Sequence, residues 1–227
     1  MRRRQAVGLV VLLAIVTAAP FAQSKLSDPS ALTETAPDLF RARFETSRGP
    51  FVIEVHREWA PIGADRFYNL VKNGFYDGTR FFRVRPGFMA QFGIHGAPEI
   101  QSAWQRAFLR DDPVTQKNTR GFVSFTNEGR PQSRFTQIFI NYGDNSRLDA
   151  DGFAPFGEVV TGMDVVDKLF SPPDPQPDQR RILREGNAYL QADFPKLDFV
   201  KKATIVPVPR SVPTPTPTTA PAPRRPS

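Results

Sequence analysis

The sequence predicts a mainly β protein: an eight-stranded antiparallel barrel accompanied by two helices. Three observations point there. Phenylalanine is overused, with 20 copies against 4 Tyr and 2 Trp, and aromatic-rich chains favour pleated, half-buried surfaces. About eight short segments alternate apolar and polar residues between turn signals, the count of a closed antiparallel barrel. Helical periodicity that would pack on such a barrel occurs in two stretches.

Residues 39–61, "LFRARFETSRGPFVIEVHREWAP", read as a hairpin. Phe40, Ala42 and Phe44 alternate with charges, Ser-Arg-Gly-Pro turns, and Phe51, Ile53 and Val55 alternate with Val52, Glu54 and His56. "APIGADRFYNLVKNGFYDG" reads as an amphipathic helix with Ala64, Phe67, Leu70 and Val71 on one stripe and Gly74 as its stop. Strands follow over about 80–85 and 88–93. Alternation through the first places Phe82 and Val84 toward the core, with Phe81, Arg83 and Arg85 outside. A polar, loop-like region covers about 94–118; "AWQRAFLRDDP" within it is a short helix or a lid. "GFVSFTN", "TQIFINYG" and "FAPFGEVV" are strands, "GMDVVDKLF" is the second helix, "SPPDPQPDQ" is a loop and "ATIVPV" is the last strand. The stretch 171–199 stands as an insertion, a packed excursion at one barrel end.

The two ends do not belong to this fold. Residues 1–23 carry Arg2, Arg3 and Arg4, then an apolar run over about 6–19, then small residues. That is the pattern of a secretory signal cleaved between Ala19 and Gln23. The run is short for the ~20 residues of a membrane span, so no stable span is expected after cleavage; an uncleaved anchor is the competing reading. Residues 24–38 form a polar lead-in, 39–206 the domain, and 207–227 a disordered Pro-rich tail that cannot build a core. The chain is expected to be exported, periplasmic or extracellular, and monomeric. With no Cys it holds together through its core alone.

Charge and composition exclude several chemistries. The formal net charge of +7 falls to +4 once Arg2, Arg3 and Arg4 leave, and Arg210, Arg224 and Arg225 lie in the tail. The folded part is near neutral and shows no basic stripe for nucleic acid. His56 and His95 stand alone, without metal-ligand spacing. Asp144, Asp149 and Asp151 lack the closing Glu of a calcium loop and read as turn residues. No metal and no cofactor are expected.

The blocks "FFRVRPGFMAQFG", "GFVSFTNEG" and "TQIFINYGDNSRLDADGFAPFGEVVTGMDVVDKL", in this order, resemble a cyclophilin-type peptidyl-prolyl cis-trans isomerase over residues 39–206. The resemblance implies a cyclophilin-like barrel capped by a helix at each end, with the active groove on its outside. It implies Arg83 as the catalytic residue, followed at the family spacing by Phe88, Met89 and Gln91. It further implies Phe139 as the floor of the proline pocket, Leu148 as a wall and Gln137 as a groove glutamine. Asn127 would hold the substrate through its backbone, with Thr126 beside it, and Phe153 would stand at the rim. Pro-containing polypeptides would be the clients. The chain departs from the best-known members at Phe82 (His there), Phe92 (Gly), Thr126 (Ala), Ile138 (Phe) and Phe153 (His). Arg147 replaces the Trp of cyclosporin-sensitive members, which implies weak cyclosporin binding.

The chemistry suits these residue types. An X–Pro bond rotates over a barrier of ~18–20 kcal/mol while its isomers differ by about 0.5–1 kcal/mol, so the obstacle is kinetic. Twisting returns a lone pair to the prolyl nitrogen, and a donor aimed at it favours the twisted state over the planar ones. Arg offers fixed donors and stays protonated. The competing function is a holdase or Pro-segment-binding module that grips such segments with little catalysis; a rate effect at Arg83 separates the two.

Overall fold

The opening hairpin forms where the alternation places it. β1 (Leu39–Thr46) and β2 (Gly49–His56) pair in unbroken register from Leu39↔His56 to Thr46↔Gly49. Their apolar positions face inward, where Phe44 stacks on Phe51 with ring centroids 5.0 Å apart. The computed structural model describes residues 25–208, so the expected signal at 1–23 and the tail from 209 lie outside them. The remaining elements are α1 (Pro61–Lys72), β3 (Arg83–Arg85), β4 (Met89–Phe92), α2 (Pro98–Trp104), β5 (Phe122–Phe125), β6 (Ile138–Asn141), β7 (Pro155–Thr161), α3 (Met163–Val166), α4 (Gln179–Asp193) and β8 (Val200–Val206).

All eight strands join one antiparallel sheet in the order β3-β4-β6-β5-β7-β2-β1-β8. The segment leading into β3 closes it against the start of β8. Gly78 N donates to Val200 O (2.8 Å), Val200 N to Thr79 O (2.9 Å) and Phe81 N to Asp198 O (2.9 Å). The interior is a filled aromatic core. Phe67, Phe125 and Phe156 meet at 4.9 and 5.1 Å, and Phe81 meets Phe92 at 4.6 Å. The interior is thus occupied by packed side chains.

Several elements differ from expectation. Phe81 enters the main core rather than facing out, and Phe82 joins a second cluster with Ile94, Ile182, Tyr189, Leu190 and Leu197. The physical reason is that regular strand begins only at Arg83, so period-two alternation does not apply to Phe81 and Phe82. The polar region holds a helix, α2, whose Trp104 is buried and donates from Nε1 to Leu26 O (2.8 Å). The lead-in likewise packs Leu26, Leu32 and Ala36 into the core. α3 is one short turn, while the insertion supplies the longer α4. α4 reaches the barrel through Gly186. Its positive φ of 59° needs no side chain, and a Cβ there would come within 2.1 Å of Gly96 O.

α1 begins at Pro61, a favoured first helical residue, but its cap position is Ala60, which carries no side-chain acceptor. Asp112 substitutes from a distant loop. Its Oδ1 accepts from Ile62 N (2.8 Å), and its Oδ2 from Gly63 N (2.9 Å) and Arg134 Nη1 (3.0 Å). Both side chains of the ion pair are buried. Asp112→Ala strips the helix of two acceptors and takes from the buried Arg134 its fully buried carboxylate partner, leaving it the more exposed Asp111 at 3.3 Å. It is expected to lower stability by about 3–5 kcal/mol in urea unfolding, and a loss below about 1 kcal/mol would contradict this account.

Candidate active site

The register of four strands sets a row across the outer face of the barrel. Arg83 stands opposite Gln91, Gln91 opposite Phe139 and Phe139 opposite Ser124. Alternation sends Val84, Ala90, Phe92, Ile138 and Ile140 into the core. The other face is left to Arg83, Met89, Gln91 and Phe139. These border a cleft of about 380 Å³, within the range of small-ligand sites.

Arg83 is half-buried. Its Nη1 donates to Gln91 Oε1 (3.1 Å), and Gln91 Nε2 donates to Gln137 Oε1 (2.8 Å). The second bond fixes which end of the Gln91 amide faces the guanidinium, so the pair of glutamines holds Arg83 in place. The guanidinium also lies 5.7 Å over the Phe88 ring. Loss of water, and secondarily the charge of Arg85, draws its pKa below the usual arginine value, yet a guanidinium remains a cation. It is a donor in partly dry surroundings, which strengthens its hydrogen bonds.

Apolar walls complete the cleft. Phe139 meets Phe153 edge-on at 5.6 Å, with Phe88, Met89 and Leu148 around them. Leu148 lies on a 3-10 turn (Ser146–Asp151) that buried carboxamides hold. Asn118 donates from Nδ2 to Asp149 Oδ1 (2.8 Å) and to Phe153 O (2.7 Å). Asn145 donates from Nδ2 to Phe88 O (2.8 Å) and to Asn141 Oδ1 (2.8 Å). Asp149 and Asp144 thus serve turns, Asp144 accepting from Ser146 N at 2.9 Å. Among the described residues no group of acidic, His or Cys side chains could hold a metal ion.

Thr126 and Asn127 form the opposite rim, and Thr126 N donates to Gln137 O (2.9 Å). The Asn127 side chain is engaged locally, accepting from Gly129 N (3.0 Å) and donating to Asp151 O (3.3 Å). Its own N–H and C=O make no hydrogen bond among the described residues. All ten residues singled out from the sequence therefore border one cleft. His56 stacks on Trp59 at 4.0 Å, and His95, its pKa lowered mainly by burial, accepts from Ala97 N; neither borders the cleft.

Five lining residues were not foreseen: Glu128, Phe135, Gln179, Arg180 and Leu183. Phe135 was findable, because it continues the period-two series of Gln137 and Phe139. Glu128 follows Asn127 directly. Gln179, Arg180 and Leu183 come from α4, far along the chain, and carry no local signal. Of the sequence departures, Phe92 and Ile138 are core residues, Phe82 anchors α4, and Thr126 and Phe153 border the cleft.

A model of the family described as "Cyclophilin type peptidyl-prolyl cis-trans isomerase/CLD" matches residues 41–185. The peptidyl-prolyl cis-trans isomerase B of Escherichia coli is 32% identical over 170 residues, 72% of this chain and 97% of the relative. A peptidyl-prolyl cis-trans isomerase of Acinetobacter baylyi is 39% identical over 133 residues, 57% of this chain and 71% of the relative. Among solved structures, a cyclophilin-type isomerase of Cryptosporidium parvum shares the fold with a TM-score of 0.58 at 19% identity, covering 75% of this chain and 99% of its own. The same protein has also been solved in the presence of the dipeptide Ala-Pro. The chain belongs to the cyclophilin-type peptidyl-prolyl cis-trans isomerase family, whose activity is rotation of prolyl peptide bonds.

Proposed function

We propose that the cleft isomerises X–Pro bonds of other polypeptides as they fold, and that Arg83 is its catalytic residue. The observation that carries this reading is a fixed, half-dry guanidinium beside an apolar cup. Phe88, Met89, Phe139, Leu148 and Phe153 form a cup of pyrrolidine character, and Arg83 lies at its edge, steadied by Gln91. As the C–N bond twists, its nitrogen becomes basic, and the guanidinium N–H donates to it. The planar ground states offer no such acceptor, so the bond forms chiefly in the transition state. Asn127 holds the substrate chain through its free main-chain groups, and Thr126 and Gln137 line the path beside it. No proton is transferred and no covalent bond is made. The Ala-Pro dipeptide with which a fold relative was solved is the kind of ligand such a cup accepts.

We further propose that the protein acts as an exported monomer without a cofactor. The Arg-rich start and short apolar run support export. N-terminal sequencing of protein recovered from cells making the full chain is expected to show a start between Ala19 and Gln23; a retained Met1 segment contradicts it.

In a cis-to-trans exchange assay on an Ala-Pro peptide, Arg83→Ala is expected to lower kcat/KM roughly 100-fold or more while peptide affinity changes little. If the folded wild type binds the peptide without accelerating exchange, the cleft is a gripping site and the catalytic reading fails. Cyclosporin is expected to inhibit weakly. Arg147 Nη1 is engaged to Asn145 Oδ1 (3.2 Å), with the guanidinium 4.9 Å over Phe88. Arg147→Trp is expected to lower the inhibition constant roughly tenfold, one good hydrogen bond's worth; no change would remove Arg147 as the cause.

A further inference from the structure

The insertion does more than cover one end of the barrel. Its Ser171 Oγ donates to Val84 O (2.8 Å), and its Asp174 accepts from Arg85 Nη2 (3.3 Å), so it runs along the outer edge of β3. α4 then begins beside Arg83, and Gln179, Arg180 and Leu183 form a wall of the same cleft. The wall is firmly seated. Ile182, Tyr189 and Leu190 pack on Phe82 and Ile94, the Asp178 carboxylate caps Arg180 N (2.8 Å), and Asn187 Nδ2 donates to Gly78 O (2.9 Å).

The arginines of α4 are not equivalent. Arg181 is tied to Glu185 (3.0 Å) and Asp193 (2.9 Å) and lies 3.8 Å over Tyr189. Arg184 reaches Glu185 at 3.7 Å and does not border the cleft. Among the described residues Arg180 has only a distant partner, Asp178 at 3.9 Å, and its side chain is 86% exposed. Across the cleft the one lining carboxylate, Glu128, is already paired with Arg130 (2.9 Å). The charge left for a bound chain to meet is therefore positive, from Arg83 and Arg180.

We propose that the first two turns of α4 form a specificity subsite in which Arg180 reads an acidic side chain flanking the substrate proline, with Gln179 as a further donor and Leu183 as apolar backing. This rests on the prolyl isomerase reading of the cleft. An exposed ion pair contributes modestly, so the preference it sets is small and salt-sensitive.

The test uses Ala-Pro peptides carrying Glu, Gln or Lys at each flanking position, assayed for exchange with wild type, Arg180→Glu and Arg184→Glu. Wild type is expected to favour Glu over Lys about two- to fivefold in kcat/KM at one position or more, mainly through KM. The preference should shrink between about 0.01 M and 1 M ionic strength. Arg180→Glu should reverse the ratio, whereas Arg184→Glu, which makes the same charge change outside the cleft, should keep it. A wild type indifferent to charge at every position, or a preference that survives Arg180→Glu, overturns the proposal. Equilibrium binding of the same peptides by fluorescence anisotropy keeps it separable from the catalytic reading. An enzyme that turns over nothing but binds Glu peptides tighter through Arg180 refutes catalysis and retains the subsite.

Discussion

The site depends on strand register. Arg83, Gln91 and Phe139 face one another across β3, β4 and β6, and a slip of one residue in any pairing would turn its side chains into the aromatic core. That core leaves no room for such an error. Phe92 and Ile138, neighbours of Gln91 and Phe139 in sequence, are fully buried on the other side of the wall. One wall therefore serves two purposes: a dense interior fixes its curvature, and its outer face carries a donor beside a hydrophobic cup.

What the register places, buried carboxamides orient. Asn118, Asn141 and Asn145 tie the turn bearing Leu148 to the turn bearing Phe88 and to β6, which bears Phe139. Gln137 orients Gln91, which steadies Arg83. Each of these groups is buried and hydrogen-bonded, the condition under which polar side chains specify a unique arrangement. A carboxamide network suits the proposed mechanism, in which no proton moves, because the strength of the donor would depend on position and dryness rather than on titration.

The segment 171–199 adds a wall to the cleft through α4. Phe82, directly before Arg83, looks disruptive as a sequence feature beside the proposed catalytic group. In the structure Phe82 is the anchor on which α4 settles. Phe82 and α4 are thus one packed unit, joined by burial of apolar area.

By itself the sequence determined the parts governed by short-range periodicity, the hairpin, α1 and the strands, because period-two and helical patterns are local; the ten residues of the cleft were implied by the resemblance of three motifs to a known family, not by periodicity. Periodicity could not assign Phe81 and Phe82, since the chain there is not regular strand. Nor could it see that Asp112 caps α1, that Trp104 reaches back to Leu26 or that Arg180 borders the same cleft as Arg83. Each of these joins residues far apart in the chain, and only the folded barrel brings them together. Tertiary structure decided them because hydrogen bonds and burial act over a few ångströms of space, whatever the separation in sequence.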